Sequence, residues 1–231
     1  VLTGREVVAI SSTGSQVTIG LLDGNVVAAG SVVICAGLES DRLAHLAGDE
    51  VDPVLIPFRG VYRRLVGPSR ALVNGLIYPL PDPRYPFLGV HFTPTVDGDV
   101  LVGPNAVPAM ARYGYRWRDI DVGYVAGLLR SPGVWRVGRA HWRQGSAEAW
   151  RSLNRRAYVR QLRRYVPSVR DRDLAPARAG VRAQAVGRNG DLISDFLITR
   201  VDRIVAVRNA PSPGATAALA LAEEIVTRVP R

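Results

Sequence analysis

The sequence predicts a mixed α/β (α+β) protein of two domains, with the chain crossing between them more than once. Three observations predict it. The continuous apolar run Ser31 to Ala36 ends in Gly37 and leads into a helical pattern, as a buried parallel strand does. Residues 54–103 are β-rich and punctuated by Pro/Asp clusters. After residue 173 strand patterns return and close on a tight Pro/Gly turn and an Ala-rich helix. A β-plus-helix block, 54–173, thus sits between two pieces, 1–53 and 174–231, of one α/β layer.

In order, Glu6 to Ser11, Gln16 to Leu22 and Val26 to Ala29 read as short strands, with a turn at Asp23-Gly24. The run Ser31 to Ala36 follows. A helix fits Ser40 to Ala47, capped by Ser40 or Asp41 and stopped by Gly48. Strands are expected at Ile56 to Val66, Leu76 to Pro79, Leu88 to Phe92 and Val100 to Gly103. Helices are expected from Asp119 to Arg130 and from Ser146 to Tyr165, where Ser146-Ala147-Glu148 opens the second. Strands return at Val181 to Val186, Asp195 to Thr199 and Ile204 to Val207, before a helix from Pro213 to Val229.

With 231 residues and 47% hydrophobic content, the chain can build a real core. No apolar run reaches the length of a membrane span. The start at Val1-Leu2-Thr3-Gly4 reads as a domain cut from a longer chain or a split gene product. The single Cys35 excludes an internal disulfide and, in its apolar run, is expected to be a buried small hydrophobe. All 30 basic residues are Arg, which excludes lysine Schiff-base chemistry. Three scattered histidines without carboxylate spacing make no metal site. His45 and His141 are expected to be structural.

Net charge is +10, and residues 131–172 carry eleven Arg against two acids, Glu148 and Asp171. This block reads as a solvated helix face or as weak contact with an anionic membrane surface. No nucleic-acid motif accompanies it, so no nucleic-acid partner is expected.

Two segments near the C-terminus carry chemistry. Arg182, on an expected strand, is suited to grip a carboxylate through two parallel hydrogen bonds. Asn209, Ala210, Pro211, Ser212, Pro213, Gly214, Ala215 and Thr216 form a strand end, a turn of small residues and a helix start. Such a turn lets a ligand approach the backbone, and a helix N-terminus favours anionic groups.

Further motifs carry a resemblance: Cys35-Ala36-Gly37-Leu38-Glu39-Ser40-Asp41-Arg42, Pro57-Phe58-Arg59-Gly60-Val61-Tyr62 and Ile77-Tyr78-Pro79-Leu80-Pro81-Asp82-Pro83. Phe87-Leu88-Gly89-Val90-His91-Phe92-Thr93 and Gly103-Pro104-Asn105-Ala106 follow in register. With the two C-terminal segments, the chain resembles the C-terminal part of the L-2-hydroxyglutarate oxidase/dehydrogenase family, among the D-amino-acid-oxidase-like FAD flavoproteins.

The resemblance implies part of a Rossmann-like FAD-binding domain (1–53 and 174–231) and a substrate domain (54–173) with a large, mainly antiparallel sheet. It places Ala36 and Gly37 near the ADP half of FAD, and Asn209 to Thr216 around the flavin ring and ribityl chain. Arg182 falls where related oxidases hold the substrate carboxylate. Tyr62, Tyr78 and His91 are expected to project towards the flavin. His91 would take the hydroxyl proton, Tyr62 and Tyr78 would bond the substrate, and Arg59 would meet a second carboxylate. Equally, His91 reads as a core histidine, the tyrosines as cross-strand aromatics and Arg59 as an exposed residue. No Gly-x-Gly-x-x-Gly loop for the pyrophosphate occurs. Gly187 to Gly190 reads as a hairpin turn, so the resemblance looks to an N-terminal complementing segment for that loop.

The implied reaction is hydride transfer from an L-2-hydroxy acid to the flavin, with L-2-hydroxyglutarate becoming 2-oxoglutarate and oxygen or a quinone taking the electrons. A non-catalytic half-protein and an amino-acid or sarcosine-type amine oxidase are the alternatives. The expected location is cytoplasmic, peripheral on the inner face of the membrane.

Overall fold

The structure, a computed structural model, describes residues 1–80 and 89–230. In chain order the strands and helices are β1 (Val7–Thr13), β2 (Gln16–Leu21), β3 (Val26–Ala29), β4 (Val32–Ile34), α1 (Ser40–Leu46), β5 (Val54–Leu65), β6 (His91–Pro94) and β7 (Val100–Pro108). Then come α2 (Val122–Leu129), α3 (Pro132–Leu153), α4 (Arg155–Leu162), β8 (Leu174–Pro176), β9 (Gly180–Val186), β10 (Leu197–Val201), β11 (Ile204–Asn209) and α5 (Ala218–Arg228). The fold is mixed α/β. The chain forms two compact units: Val1–Ile56 with Gly127–Val137 and Ala183–Arg231, and Pro57–Ala126 with Gly138–Arg182. It passes from one to the other within β5, α2, α3 and β9.

The first unit holds two three-stranded sheets. β1, β2 and β3 form an antiparallel meander. Its second turn is set by Gly24, at φ 84°, and by the Asp23 carboxylate accepting from the Asn25 N–H. The other sheet runs β10-β11-β4, with β11 antiparallel to β10 and parallel to β4. Ile34, Ile204 and Ala206 pack with Ile10, Val17 and the α1 residue Ala44. The strand expected at Ser31 to Ala36 is therefore parallel but buried on one side only. Cys35 is exposed, contrary to the burial expected of it, and so is Val33. β4 ends its sheet, and side chains alternate, so odd positions point away from the cluster that buries Ile34.

Neither Ser40 nor Asp41 caps α1. A short 3-10 turn over Gly37–Glu39 makes Glu39 the N-cap and leaves Ser40 already helical and buried. The Asp41 carboxylate accepts from the Leu55 N–H instead, at 3.0 Å. Gly48, at φ 86°, ends the helix region as expected.

In the second unit the sheet order is β6-β7-β5-β8, with β9 also paired to β5. Phe92, Val100, Val102 and Leu65 pack against Tyr158, Val159 and Leu162 of α4. Tyr158 donates its hydroxyl to the Val102 carbonyl at 2.9 Å, which satisfies the phenol that this packing buries. Of the expected strand at Leu76 to Pro79 only one bridge forms, Ile77 to Phe92. The strand expected from Leu88 begins at His91; Leu88 and the Pro81 to Pro83 motif lie outside the described residues. β7 runs on past Gly103 to Pro108.

The helices differ most from expectation. Ser146-Ala147-Glu148 opens nothing: α3 starts at Pro132, where proline suits a first helical turn, and runs 22 residues. Glu148 pairs with Arg151. Asn154, in an extended conformation, accepts from the Ala157 N–H and starts α4 afresh. α5 begins at Ala218, five residues after the expected Pro213. No helix of the described residues is long and apolar enough to cross a membrane.

Candidate active site

In the first unit, β4 and β11 run parallel and in register from Val32–Ile204 to Ile34–Ala206. Their carboxyl ends therefore lie side by side, and Ala36-Gly37 leaves one where Asn209 to Thr216 leaves the other. The carboxyl ends of parallel strands are where open α/β sheets take ligands. Gly37 sits at φ 55° with open space where a side chain would stand. Ala210, Ser212, Pro213, Ala215 and Thr216 are exposed. Gly214 is held inside the turn, where a Cβ would lie 3.0 Å from the Pro211 oxygen. Asn209 is buried, and its amide donates to the carbonyls of Ile193 (3.1 Å) and Asp195 (2.8 Å). Its side chain is thus spent on anchoring the turn. Small exposed backbone at the carboxyl end of a parallel pair leaves room for a flat ring system such as the flavin end of FAD.

In the second unit, the paired residues Phe92 and Val102 are fully buried in the core. Side chains alternate along strands, so the paired residues His91 and Gly103 turn to the opposite face. A register shift between Val61 and Arg63 sets Tyr62 against both Gly103 and Pro104. Tyr62 thereby joins the His91 face; a Cβ on Gly103 would lie 3.1 Å from its ring and 2.9 Å from the Val61 carbonyl oxygen. Tyr78 completes the cluster by stacking on His91, with ring centroids 4.4 Å apart, and its hydroxyl lies 3.5 Å from Thr93 Oγ1.

His91 Nδ1 lies 3.2 Å from the Gly89 carbonyl oxygen. A carbonyl only accepts, so Nδ1 carries the proton and, in the neutral ring, Nε2 is the basic nitrogen. Burial pulls the imidazole below its usual value, and the bond to Gly89 offsets this only in part. Burial also raises the Tyr62 phenol, with Tyr78 adding to the rise. At neutral pH the face therefore presents an uncharged imidazole base and the protonated phenol of Tyr62.

The structure thus brings His91, Tyr62 and Tyr78 together. Arg59 is elsewhere: it pairs with Val107 on the core side of β5, the side of Leu65, and is 4% exposed. Its Nη1 donates to the Arg116 carbonyl at 2.8 Å, and its guanidinium lies 3.9 Å over the Trp117 ring. Burial lowers its pKa, and Asp119 opposes that. Arg182 stands exposed on β9. Gly89 and Gly103 lie against His91 and Tyr62, a placement that composition alone does not reveal. A glycine within an apolar strand pattern, read as a sign of close backbone approach, would have pointed to both.

The family model for FAD dependent oxidoreductases (DAO) matches residues 1–228. The chain is 44% identical over 224 residues to an L-2-hydroxyglutarate dehydrogenase of Salmonella houtenae, covering 97% of this chain and 53% of that protein. It is 45% identical over 202 residues to a mitochondrial L-2-hydroxyglutarate dehydrogenase of Nematostella vectensis, covering 85% of this chain and 44% of that one. Among solved structures, the FAD-bound L-alpha-glycerophosphate oxidase of Mycoplasma pneumoniae superposes with a TM-score of 0.64 at 22% identity, over 96% of this chain and 49% of that one. This last likeness is one of fold. The chain spans about half the length of the curated relatives it matches. With the family model matched across nearly its full length, the chain belongs to the FAD dependent oxidoreductase (DAO) family.

Proposed function

We propose that the chain forms part of an FAD-dependent dehydrogenase or oxidase that converts L-2-hydroxyglutarate to 2-oxoglutarate. The observation that carries the reading is the placement of His91, its Nδ1 3.2 Å from the Gly89 carbonyl oxygen, on one sheet face with Tyr62 and Tyr78. Relatives named for that reaction, 44–45% identical over most of this chain, favour a hydroxyl over an amine substrate.

Oxidising a 2-hydroxy acid removes a hydride from Cα and a proton from the hydroxyl. FAD, when bound, supplies the acceptor for the hydride. His91 Nε2 takes the hydroxyl proton as the carbonyl forms, which leaves an imidazolium that Gly89 stabilises by accepting from Nδ1. Tyr62 and Tyr78 offer phenol donors to substrate oxygens, and Arg182 holds the 1-carboxylate so that Cα–H is oriented. Ala36, Gly37 and the Ala210 to Thr216 turn hold the flavin side through backbone, with Asn209 bracing the turn. Arg59 holds the 116–117 segment in place through Arg116 and Trp117.

Oxygen or a quinone receives the electrons, and the protein works in the cytoplasm, weakly bound to the inner face of the membrane. Supporting the last point, α3 exposes Trp135, Trp142, Trp150 and Leu153 beside the exposed Arg136, Arg139 and Arg143. An amphipathic aromatic and basic face suits an anionic interface.

The test is turnover by the full-length, FAD-loaded protein. L-2-hydroxyglutarate should bleach the flavin absorbance and yield 2-oxoglutarate, while His91→Gln should lower kcat about 10²-fold or more. Reduction by an L-amino acid in place of the hydroxy acid would overturn the reading. Co-sedimentation with liposomes that ignores their acidic lipid content would remove the membrane contact.

A further inference from the structure

We infer that Gly89 is a positioning residue: its carbonyl oxygen holds His91 as the Nδ1–H tautomer, and the Ile77 to Pro79 strap clamps both residues so that Nε2 is the ring's one basic nitrogen. The inference rests on the proposed role of His91 as the base.

A neutral imidazole has two tautomers, and only one of them presents a lone pair at a given nitrogen. A base whose tautomer is free spends part of its time with a proton where a lone pair is needed. The lock on His91 is local. Gly89 is two residues away, and its oxygen reaches Nδ1 at 3.2 Å.

That reach depends on a backbone that only glycine adopts easily. Gly89 has φ 150°, and a Cβ there would lie 2.6 Å from Pro79 Cγ. Pro79 therefore closes over Gly89 in the space a side chain would fill. The neighbouring Tyr78 closes over the imidazole itself, 14° from parallel.

The strap is fixed in turn by the isolated bridge to β6. Ile77 N–H donates to the Phe92 carbonyl at 3.1 Å and Phe92 N–H donates back at 2.9 Å. Phe92 is fully buried, so the anchor beside His91 is part of the core. One two-way bridge thus places Tyr78 on the ring and Pro79 on the glycine that sets the ring's proton. A histidine kept only for packing has no need of this arrangement, since either tautomer fills the same volume.

The experiment is ¹⁵N NMR of histidine-labelled, full-length, FAD-loaded protein, with the His91 signals assigned by their loss in His91→Gln. Wild-type His91 should show a single neutral tautomer protonated at Nδ1. Gly89→Ala should mix the tautomers, lower kcat about tenfold to a hundredfold and change KM by less than about threefold; a tautomer error alone is able to cost more than this. Tyr78→Phe keeps the stacked ring and should keep the lock. Should Gly89→Ala fail to fold, the wild-type spectrum still decides, because a proton at Nε2 overturns the inference. Mixed tautomers with an unchanged kcat also overturn it while leaving the proposed reaction standing. A locked Nδ1–H in a protein that oxidises no 2-hydroxy acid would instead sink the reaction and leave the lock.

Discussion

The ring of Tyr78 lies over the imidazole of His91, with centroids 4.4 Å apart and planes 14° from parallel. Tyr78 is itself 57% exposed, so it shields His91 as a lid shields a cup, dry beneath and wet above. That shielding is part of the burial that holds His91 below the usual histidine value. Tyr78→Ala should therefore raise the apparent pKa of His91 towards about 6.5, the unperturbed value. More of the base would be protonated at pH 6, and kcat/KM there should fall relative to pH 8. Tyr78→Phe keeps the stacked ring and should leave the acid limb of the pH profile in place. An unmoved limb in Tyr78→Ala would show that the ring does not control the base.

The wild-type pH profile follows from the same environment. Folding favours neutral His91, so kcat/KM should be flat near neutrality and fall on the acid side, with an apparent pKa below about 6.5. Stability has the same sign. The unfolded chain takes up the proton first, so the contribution of His91 is complete above about pH 6.5 and is lost as pH falls through the lower folded value. The ring is partly exposed, and the stability change should be small. Rates measured from pH 5 to 9 check the first point. His91→Gln should abolish the limb, and a limb that survives belongs to another group.

Much of the fold is legible in the sequence where local chemistry decides it. β3 falls on its expected residues because Asp23-Gly24 sets the turn before it. The helix break at Asn154 is not legible, since Trp150 to Tyr165 keeps its apolar spacing through the cap. Residues 132–145, which fall between the two expected helices, form the first part of α3 from Pro132. Within the site, His91, Tyr62 and Tyr78 are legible as a group from the motifs they share with a family. The burial of Arg59 is not legible, because alternation along β5 puts it on the face of Leu65 but does not show that Trp117 and the Arg116 carbonyl cover it there. The tautomer of His91 depends on the path of Gly89 and on Pro79, ten residues earlier. Cys35 looks buried because an apolar run does not say whether a strand is covered on one side or two.

The register shift between Val61 and Arg63 makes Gly103 demanding. Gly103 sits at φ 140°, and a Cβ would lie 2.9 Å from the Val61 carbonyl oxygen, a backbone atom with little room to give. Gly103→Ala should destabilise the protein by about 2–4 kcal/mol, combining backbone strain with a forced shift of β5. Gly98, at φ 77° with open space around it, is the control: Gly98→Ala meets strain without a clash and should cost about 1 kcal/mol. Urea unfolding of both variants checks the order. Equal losses would mean that the crowding at Gly103 relaxes without cost.

Arg208 and Asp49 tie down the strand that leads into the Asn209 to Thr216 turn. Arg208 is 2% exposed on β11, its Nη2 donates to the Pro53 carbonyl at 3.0 Å, and its Nη1 lies 3.5 Å from Asp49 Oδ2. The Thr199 hydroxyl donates to the same carboxylate oxygen. Truncating one member of a buried pair leaves the other charged and dry, so Arg208→Ala should cost about 3–5 kcal/mol. The double change Arg208→Met with Asp49→Leu removes both charges and keeps the volume, and should cost far less. Asn209 and the turn follow Arg208 directly, so the two kinds of variant also separate stability from binding. If Arg208 acts only by placing the turn, the double variant should recover FAD affinity along with stability, as read by flavin fluorescence on titration. A double variant that is stable but still binds FAD poorly would mean that the charge of Arg208 itself is felt by the cofactor.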